Sequence, residues 1–232
     1  MNNILQLAIA GLMSVVAVDW IFLKVLKVAK VKGLVDNPDA RKLQKVPVPV
    51  LGGIAVFFGV LMGLLVFRAA IGIGTMVDGA ALPIMNLTNL IPVLVGASVM
   101  LYVGALDDIM GLTPRARLGI EVLVMLGIIY GTGMCVDSLH GLWGVGQMSW
   151  WIAVPLTVFA GVGIINAYNM VDGVNGLSSG LCMAVSGMFG LVFLKSGDTS
   201  NAALAFVMVA SLLPFYVHNK KSLYLRILSH VL

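Results

Sequence analysis

Seven apolar runs, each close to the length at which a helix crosses a bilayer, take up most of this chain. Hydrocarbon offers no water to pair backbone N–H and C=O groups, so a run of roughly 20 apolar residues must close its own hydrogen bonds as a helix. The runs lie near residues 4–26, 50–71, 89–106, 118–133, 151–168, 177–194 and 201–217. They predict an all-α, polytopic integral membrane bundle of about seven transmembrane helices, forming a single membrane domain over residues 1–232. No internal repeat and no water-soluble domain is legible. Only 10% of residues are charged, against about a quarter in a soluble domain, and the mean hydropathy is +1.05.

Charge fixes the expected orientation. Of fourteen Lys and Arg residues, twelve fall on one side. Lys24, Lys27, Lys30, Lys32, Arg41, Lys42 and Lys45 surround the first loop, Arg115 and Arg117 the third, and Lys220, Lys221 and Arg226 follow the last run. Arg68 and Lys195 are the exceptions. By the positive-inside rule the first, third and fifth loops and the tail are cytoplasmic, and the N-terminus is outside. The first run has its lysines after it and no basic segment before it, so it reads as a retained span. The net charge of +4 follows this topology, so membrane lipids are expected partners and nucleic acid is not. Trp143, Trp150 and Trp151 suit an aromatic belt on the outer side, where CVDSLHGLWGVGQMSWW forms a short hairpin or interfacial turn. Cys135 and Cys182 are expected near opposite faces, which argues against a disulfide.

Asp107 and Asp108 end the third run. Adjacent carboxylates repel, and carboxylates beside lipid usually have a partner or a task. A divalent cation would accept both charges, and hard oxygen ligands suit magnesium with substrate phosphates. The plainer reading is a solvated helix end offset by Arg115 and Arg117. In NAYNMVDGVNGLSSG, Asn166, Asn169 and Asp172 recur every third residue at the inner end of the fifth run, a slanting polar stripe on a helix. Gly173 and Gly176 would let the chain turn closely beside a ligand. A polar turn between spans explains the Asn and Gly content but not an inward Asn166.

The first loop joins its basic run to PVPVLGG. Most of its lysines hold the loop inside, whereas Arg41, Lys42 and Lys45 adjoin the stiff Pro–Gly segment and are better placed to contact phosphate. Asp19 and Glu121 sit inside spans, each expected to face a neighbouring helix or a cavity and not lipid. His140 is expected to be exposed, and the fourteen methionines to be adaptable packing.

Three stretches, DNPDARKLQKVPVPVLGG, GALDDIMGLTPRARLGIE and NAYNMVDGVNGL, resemble in order the cytoplasmic motifs of the polyprenyl-phosphate N-acetylhexosamine-1-phosphate transferase superfamily. The form after the acidic pair looks more like the WecA/TagO branch than MraY. The resemblance implies transfer of N-acetylhexosamine 1-phosphate from a UDP-N-acetylhexosamine to undecaprenyl phosphate, with release of UMP, in bacterial envelope polysaccharide synthesis. It implies an inner-membrane enzyme with a cytoplasmic active site and a magnesium requirement, met also by manganese, and it allows a homodimer. By motif position Asp107, Asp108 and Asp172 would serve catalysis and the metal, with Arg41, Lys42, Lys45, Asn166, Asn169 and Asn175 contacting substrate. Direct attack by the lipid phosphate and a covalent aspartyl intermediate are both open.

Two departures stand out. Asn175 replaces a second Asp found in many relatives, and Gln44 a frequent His. Relatives also continue through a later G-D-S/A-G motif and a histidine-rich loop, whereas residues 220–232 fit no family motif. The resemblance therefore implies a chain incomplete relative to the family, with little or no turnover from these 232 residues alone. A catalytically inactive membrane fragment is one alternative. A secondary transporter is another, which would want polar groups at mid-membrane and repeated halves.

Overall fold

A computed structural model describes residues 3–32, 35–36, 48–49, 52–78, 87–171 and 176–231. Seven long helices dominate: α1 (Asn3–Lys32), α2 (Gly52–Asp78), α3 (Leu87–Met110), α4 (Pro114–Thr132), α5 (Trp150–Val171), α6 (Leu177–Lys195) and α7 (Thr199–Val231). Six of them are long and apolar enough to cross a membrane, as a multi-pass membrane protein requires. The exception by composition is α4, which carries Arg115, Arg117 and Glu121. Besides the helices, the first loop contributes two-residue strands, β1 (Val35–Asp36) antiparallel to β2 (Val48–Pro49).

Several helices outrun their apolar cores. The first extends to Lys32, the second to Asp78, and α7 runs through the tail to Val231. Apolar patterning marks the part that hydrocarbon demands, and a helix continues beyond it wherever nothing breaks it.

The chain divides into two compact units, residues 1–85 with 171–232, and residues 86–170. In the first, α1 packs against α2 and α7, and α6 against α7. Small residues permit the close approach. A Cβ on Gly59 or Gly63 would run into Val18, or into Ser14 and Val207, so these contacts have the small-residue character of helix packing in membranes. Val18, Phe22 and Ala55 form a buried cluster with Phe215 against it.

In the second unit α3 packs against α4. A Cβ on Gly96 would meet Ile128 and Val124, and one on Gly131 would meet Pro92. Between α4 and α5 the chain makes a hairpin: Ser138 bridges Gln147, Met148 N–H donates to the Asp137 carbonyl at 2.7 Å, and a short 3-10 turn covers Leu142–Gly144. The Thr157 hydroxyl of α5 accepts from Val136 N–H at 2.8 Å and ties the hairpin down. Trp143 and Trp151 are exposed and His140 lies on the surface. Both cysteines are free thiols.

Candidate functional site

The turn between α3 and α4 carries the acidic pair, and each of its residues has a local reason to be there. Gly111 adopts φ +68°, a left-handed conformation that costs glycine nothing, and its N–H returns to the Asp107 carbonyl at 2.8 Å to end α3. The Asp107 carboxylate reaches forward, with Oδ1 accepting from Leu112 N–H at 2.8 Å. Thr113 then caps α4 by accepting from Ala116 N–H at 3.3 Å, with Pro114 at the first helical position, where no N–H is needed. The helix therefore begins at Pro114, not near residue 118, and Arg115 and Arg117 are helical residues, not loop residues.

That early start aims Arg117 back at α3. Its Nη1 lies 3.3 Å from Asp107 Oδ2, its Nε 3.5 Å from Glu121 Oε1 one turn along α4, and its Nη2 donates to Asn166 Oδ1 at 3.4 Å. Asn166 belongs to α5. Its Nδ2 donates to Glu121 Oε2 and, at 2.9 Å, to the Val162 carbonyl. The amide orientation follows from the partners, since the reverse would aim its N–H at the guanidinium and its oxygen at the carboxylate. Glu121 is 1% exposed, whereas Asp107 and Arg117 retain 27% and 30% of their side-chain surface.

One cluster thus joins the C-terminal end of α3, the first turns of α4 and the C-terminal end of α5. Two carboxylates and one guanidinium leave it a formal charge of −1. Adjacent positions on a helix diverge by about 100°, so Asp107 turns into the cluster while Asp108 is exposed. Asn169 is exposed near the same end of α5, and Arg115 is exposed on α4.

The structure therefore brings together Asp107 and Asn166 of the sequence-derived set and places Asp108 beside Asp107. Arg41, Lys42, Lys45, Asp172 and Asn175 lie outside the described residues. Among the described residues no three His, Cys, Asp or Glu side chains converge as a metal cage. The donors present are of the hard type: each Asp107 oxygen keeps a second lone pair beyond its N–H partner, and Asp108, an exposed residue, adds a second carboxylate at the same helix end. Such a set fits magnesium, which takes one or two carboxylates and completes its shell with water and phosphate.

Sequence reasoning gave Arg117 only the task of offsetting the acids and left Glu121 isolated. Their separation of four residues was the readable signal, because i,i+4 positions are neighbours on a helix. No local pattern announces that Asn166, forty-five residues beyond Glu121, completes the cluster.

Residues 90–225 match the family model described as Glycosyl transferase family 4. The chain is 33% identical over 197 residues to the "Undecaprenyl-phosphate alpha-N-acetylglucosaminyl 1-phosphate transferase" of Yersinia pestis, covering 83% of this chain and 49% of the relative. It is 32% identical to the protein of the same description from Escherichia coli (strain K12), covering 83% and 48%. To the "Probable undecaprenyl-phosphate N-acetylglucosaminyl 1-phosphate transferase" of Bacillus subtilis (strain 168) it is 32% identical over 220 residues, covering 94% and 57%. The chain spans about half the length of the curated relatives it matches.

Proposed function

The chain belongs to glycosyl transferase family 4, and on that premise we propose that the protein carrying these residues transfers N-acetylhexosamine 1-phosphate from a UDP-sugar to undecaprenyl phosphate, releasing UMP. The names of the relatives favour N-acetylglucosamine as the hexosamine. We place the reaction at the cytoplasmic face of a bacterial inner membrane. The one-sided distribution of Lys and Arg supports that orientation. The observation that carries the chemical reading is the exposed Asp108 beside an Asp107 held by Leu112 N–H and Arg117.

The reaction brings a lipid phosphate up to a nucleotide diphosphate, so like charges must be offset as negative charge spreads over the phosphoryl oxygens. A lipid phosphate oxygen forms the new bond to the phosphorus that bears the sugar. The bond from that phosphorus to the bridging oxygen breaks, and UMP departs with the electron pair. Magnesium held by Asp108 and Asp107 would supply positive charge against those oxygens.

The protein's own residues do the positioning. Asp107 is fixed by donors on both oxygens, which suits it to holding charge in place and ill suits it to carrying a covalent phosphoryl group. Asp107 is therefore read as a positioning carboxylate and not as a covalent nucleophile. Arg117 sets the direction of Asp107, and the exposed Asn169 is placed to meet substrate. Lys45, Arg41 and Lys42 keep the phosphate-contacting role implied by their motif, Asn175 a substrate contact, and Asp172 that of an essential carboxylate.

The test is UMP release and lipid-linked product formation from UDP-N-acetylglucosamine and undecaprenyl phosphate by the full protein in detergent with magnesium. Product from wild type and none from Asp108→Asn is expected. Wild-type protein that forms no lipid-linked sugar phosphate would end the functional reading, and unimpaired Asp108→Asn would end the assignment of that residue.

A further inference from the structure

We infer that Glu121 is a positioning residue of the proposed transferase site, acting through Arg117 on Asp107. The inference deepens the function proposed above and rests on that reading for its catalytic consequence, though not for its geometry. A carboxylate with 1% exposure survives burial only where donors replace the water it has lost. Glu121 has both of its oxygens met, Oε1 by an ion pair with Arg117 Nε at 3.5 Å and Oε2 by a hydrogen bond from Asn166 Nδ2.

The direction of the arrangement matters more than its strength. A guanidinium is a planar fork, so fixing one edge fixes the others. Glu121 grips Nε from within the same helix and Asn166 receives Nη2 from α5, which leaves Nη1 pointing at Asp107 Oδ2 at 3.3 Å. Arg117 alone is a long side chain with 30% exposure and several rotamers within reach. Glu121 and Asn166 hold the other two edges of its fork. Asn166 spends its whole amide inside the cluster, donating to Glu121 and Val162 and accepting from Arg117, so it braces the clamp.

Glu121 also divides the Arg117 charge between two carboxylates. With Glu121 neutralised, the cluster of one guanidinium and two carboxylates would keep a single carboxylate, and its formal charge would go from −1 to zero. A site that must retain net negative charge beside incoming phosphates, in order to hold a cation, would lose that charge. The buried acid therefore sets both the direction and the charge of the acidic end of α3.

The experiment uses the full protein labelled with 15N-arginine, with Glu121→Gln, Arg117→Lys and their combination. The Arg117 Nε–H resonance, identified by its loss in Arg117→Lys, should exchange slowly with water in wild type and lose that protection in Glu121→Gln. In the UMP-release assay Glu121→Gln should lower kcat about 10- to 100-fold, the usual range for outer-shell partners, while KM for the UDP-sugar moves less than about threefold. The double variant should be no slower than the slower single variant, because both break one unit.

Retained protection of the resonance, an unchanged kcat, or effects that multiply in the double variant would overturn the inference. If Glu121→Gln does not fold, Glu121→Asp keeps the charge on a shorter arm, and the same loss of protection and lowered kcat are expected. Wild-type values for both would equally refute it. A wild-type protein inactive in this assay refutes the transferase reading while leaving the resonance measurement to decide the clamp.

Discussion

Arg117 and Asp107 are ten residues apart in the chain and 3.3 Å apart in space, across a turn that Asp107 itself closes by accepting the Leu112 N–H. The acidic end of α3 and the basic start of α4 are therefore one local unit, folded from consecutive sequence. The cap at Thr113 and the left-handed Gly111 set the geometry, and the ion pair is its consequence.

Asp107 consequently has two tasks, and substitution should expose both. Asparagine at this position keeps an oxygen for Leu112 N–H but turns an amide donor, or no acceptor, toward the guanidinium. Loss of a charged hydrogen bond at a partly buried site costs about 1–3 kcal/mol, read as a lower unfolding midpoint in detergent, and UMP release should fall to background. Asp108→Asn should also lose UMP release, yet with a smaller shift in midpoint, since Asp108 is exposed. Equal midpoint shifts in the two variants would contradict this division.

Removing Arg117 without its acid should be worse than removing both. Arg117→Met leaves Glu121 buried with only the Asn166 amide facing it, and an abandoned buried charge costs about 3 kcal/mol or more. Arg117→Met with Glu121→Leu exchanges the pair for apolar contacts and should recover most of that loss in thermal unfolding. Activity should not return with it. If the double variant is as unstable as Arg117→Met, the instability does not come from the stranded carboxylate.

Much of this was legible and some was not, for physical reasons. Hydrocarbon length and backbone pairing made seven helices readable. The helix α4 begins four residues before its apolar run, because hydropathy passes over Arg115 and Arg117 although Thr113–Pro114 is a cap signal. Asp107 and Asn166 were recognised as candidates from local pattern, but their joining through Arg117 and Glu121 depends on α5 packing beside α4. That contact has no local signature. The same limit hid the partner of Asp19, which lies 199 residues away.

That partner is His218. Its Nε2 lies 2.7 Å from Asp19 Oδ1, and its ring stacks on Phe22 with centroids 5.1 Å apart. Asp19 lies within the span Ile4–Ala29, where a carboxylate without a partner is expensive. His218→Ala should therefore lower stability by about 1–3 kcal/mol, and Asp19→Asn by less, since asparagine retains an oxygen for the ring N–H. Phe22→Leu keeps the hydrogen bond but removes both the stacking and the edge contact with Phe215, whose ring centroid lies 5.7 Å away, so its midpoint should fall below that of wild type.

The tightest helix contact gives the sharpest packing prediction. A Cβ on Gly63 would fall 2.6 Å from Val207 Cγ1 and closer still to the Ser14 hydroxyl, so α1, α2 and α7 meet at a point with no room for a methyl group. Val207 and Ser14 are fully buried, which leaves neither an empty direction in which to move. Gly63→Ala should destabilise by about 1–3 kcal/mol through overpacking, even though alanine is the better helix former. Trimming the neighbour decides whether the cause is steric: Val207→Ala in the same chain should return part of the loss, because it vacates the volume that the new methyl needs. Gly72, where a Cβ meets nothing within 4 Å, supplies the control, and Gly72→Ala should be neutral or mildly stabilising. If Gly63→Ala behaves like Gly72→Ala, the three helices do not meet as closely as described.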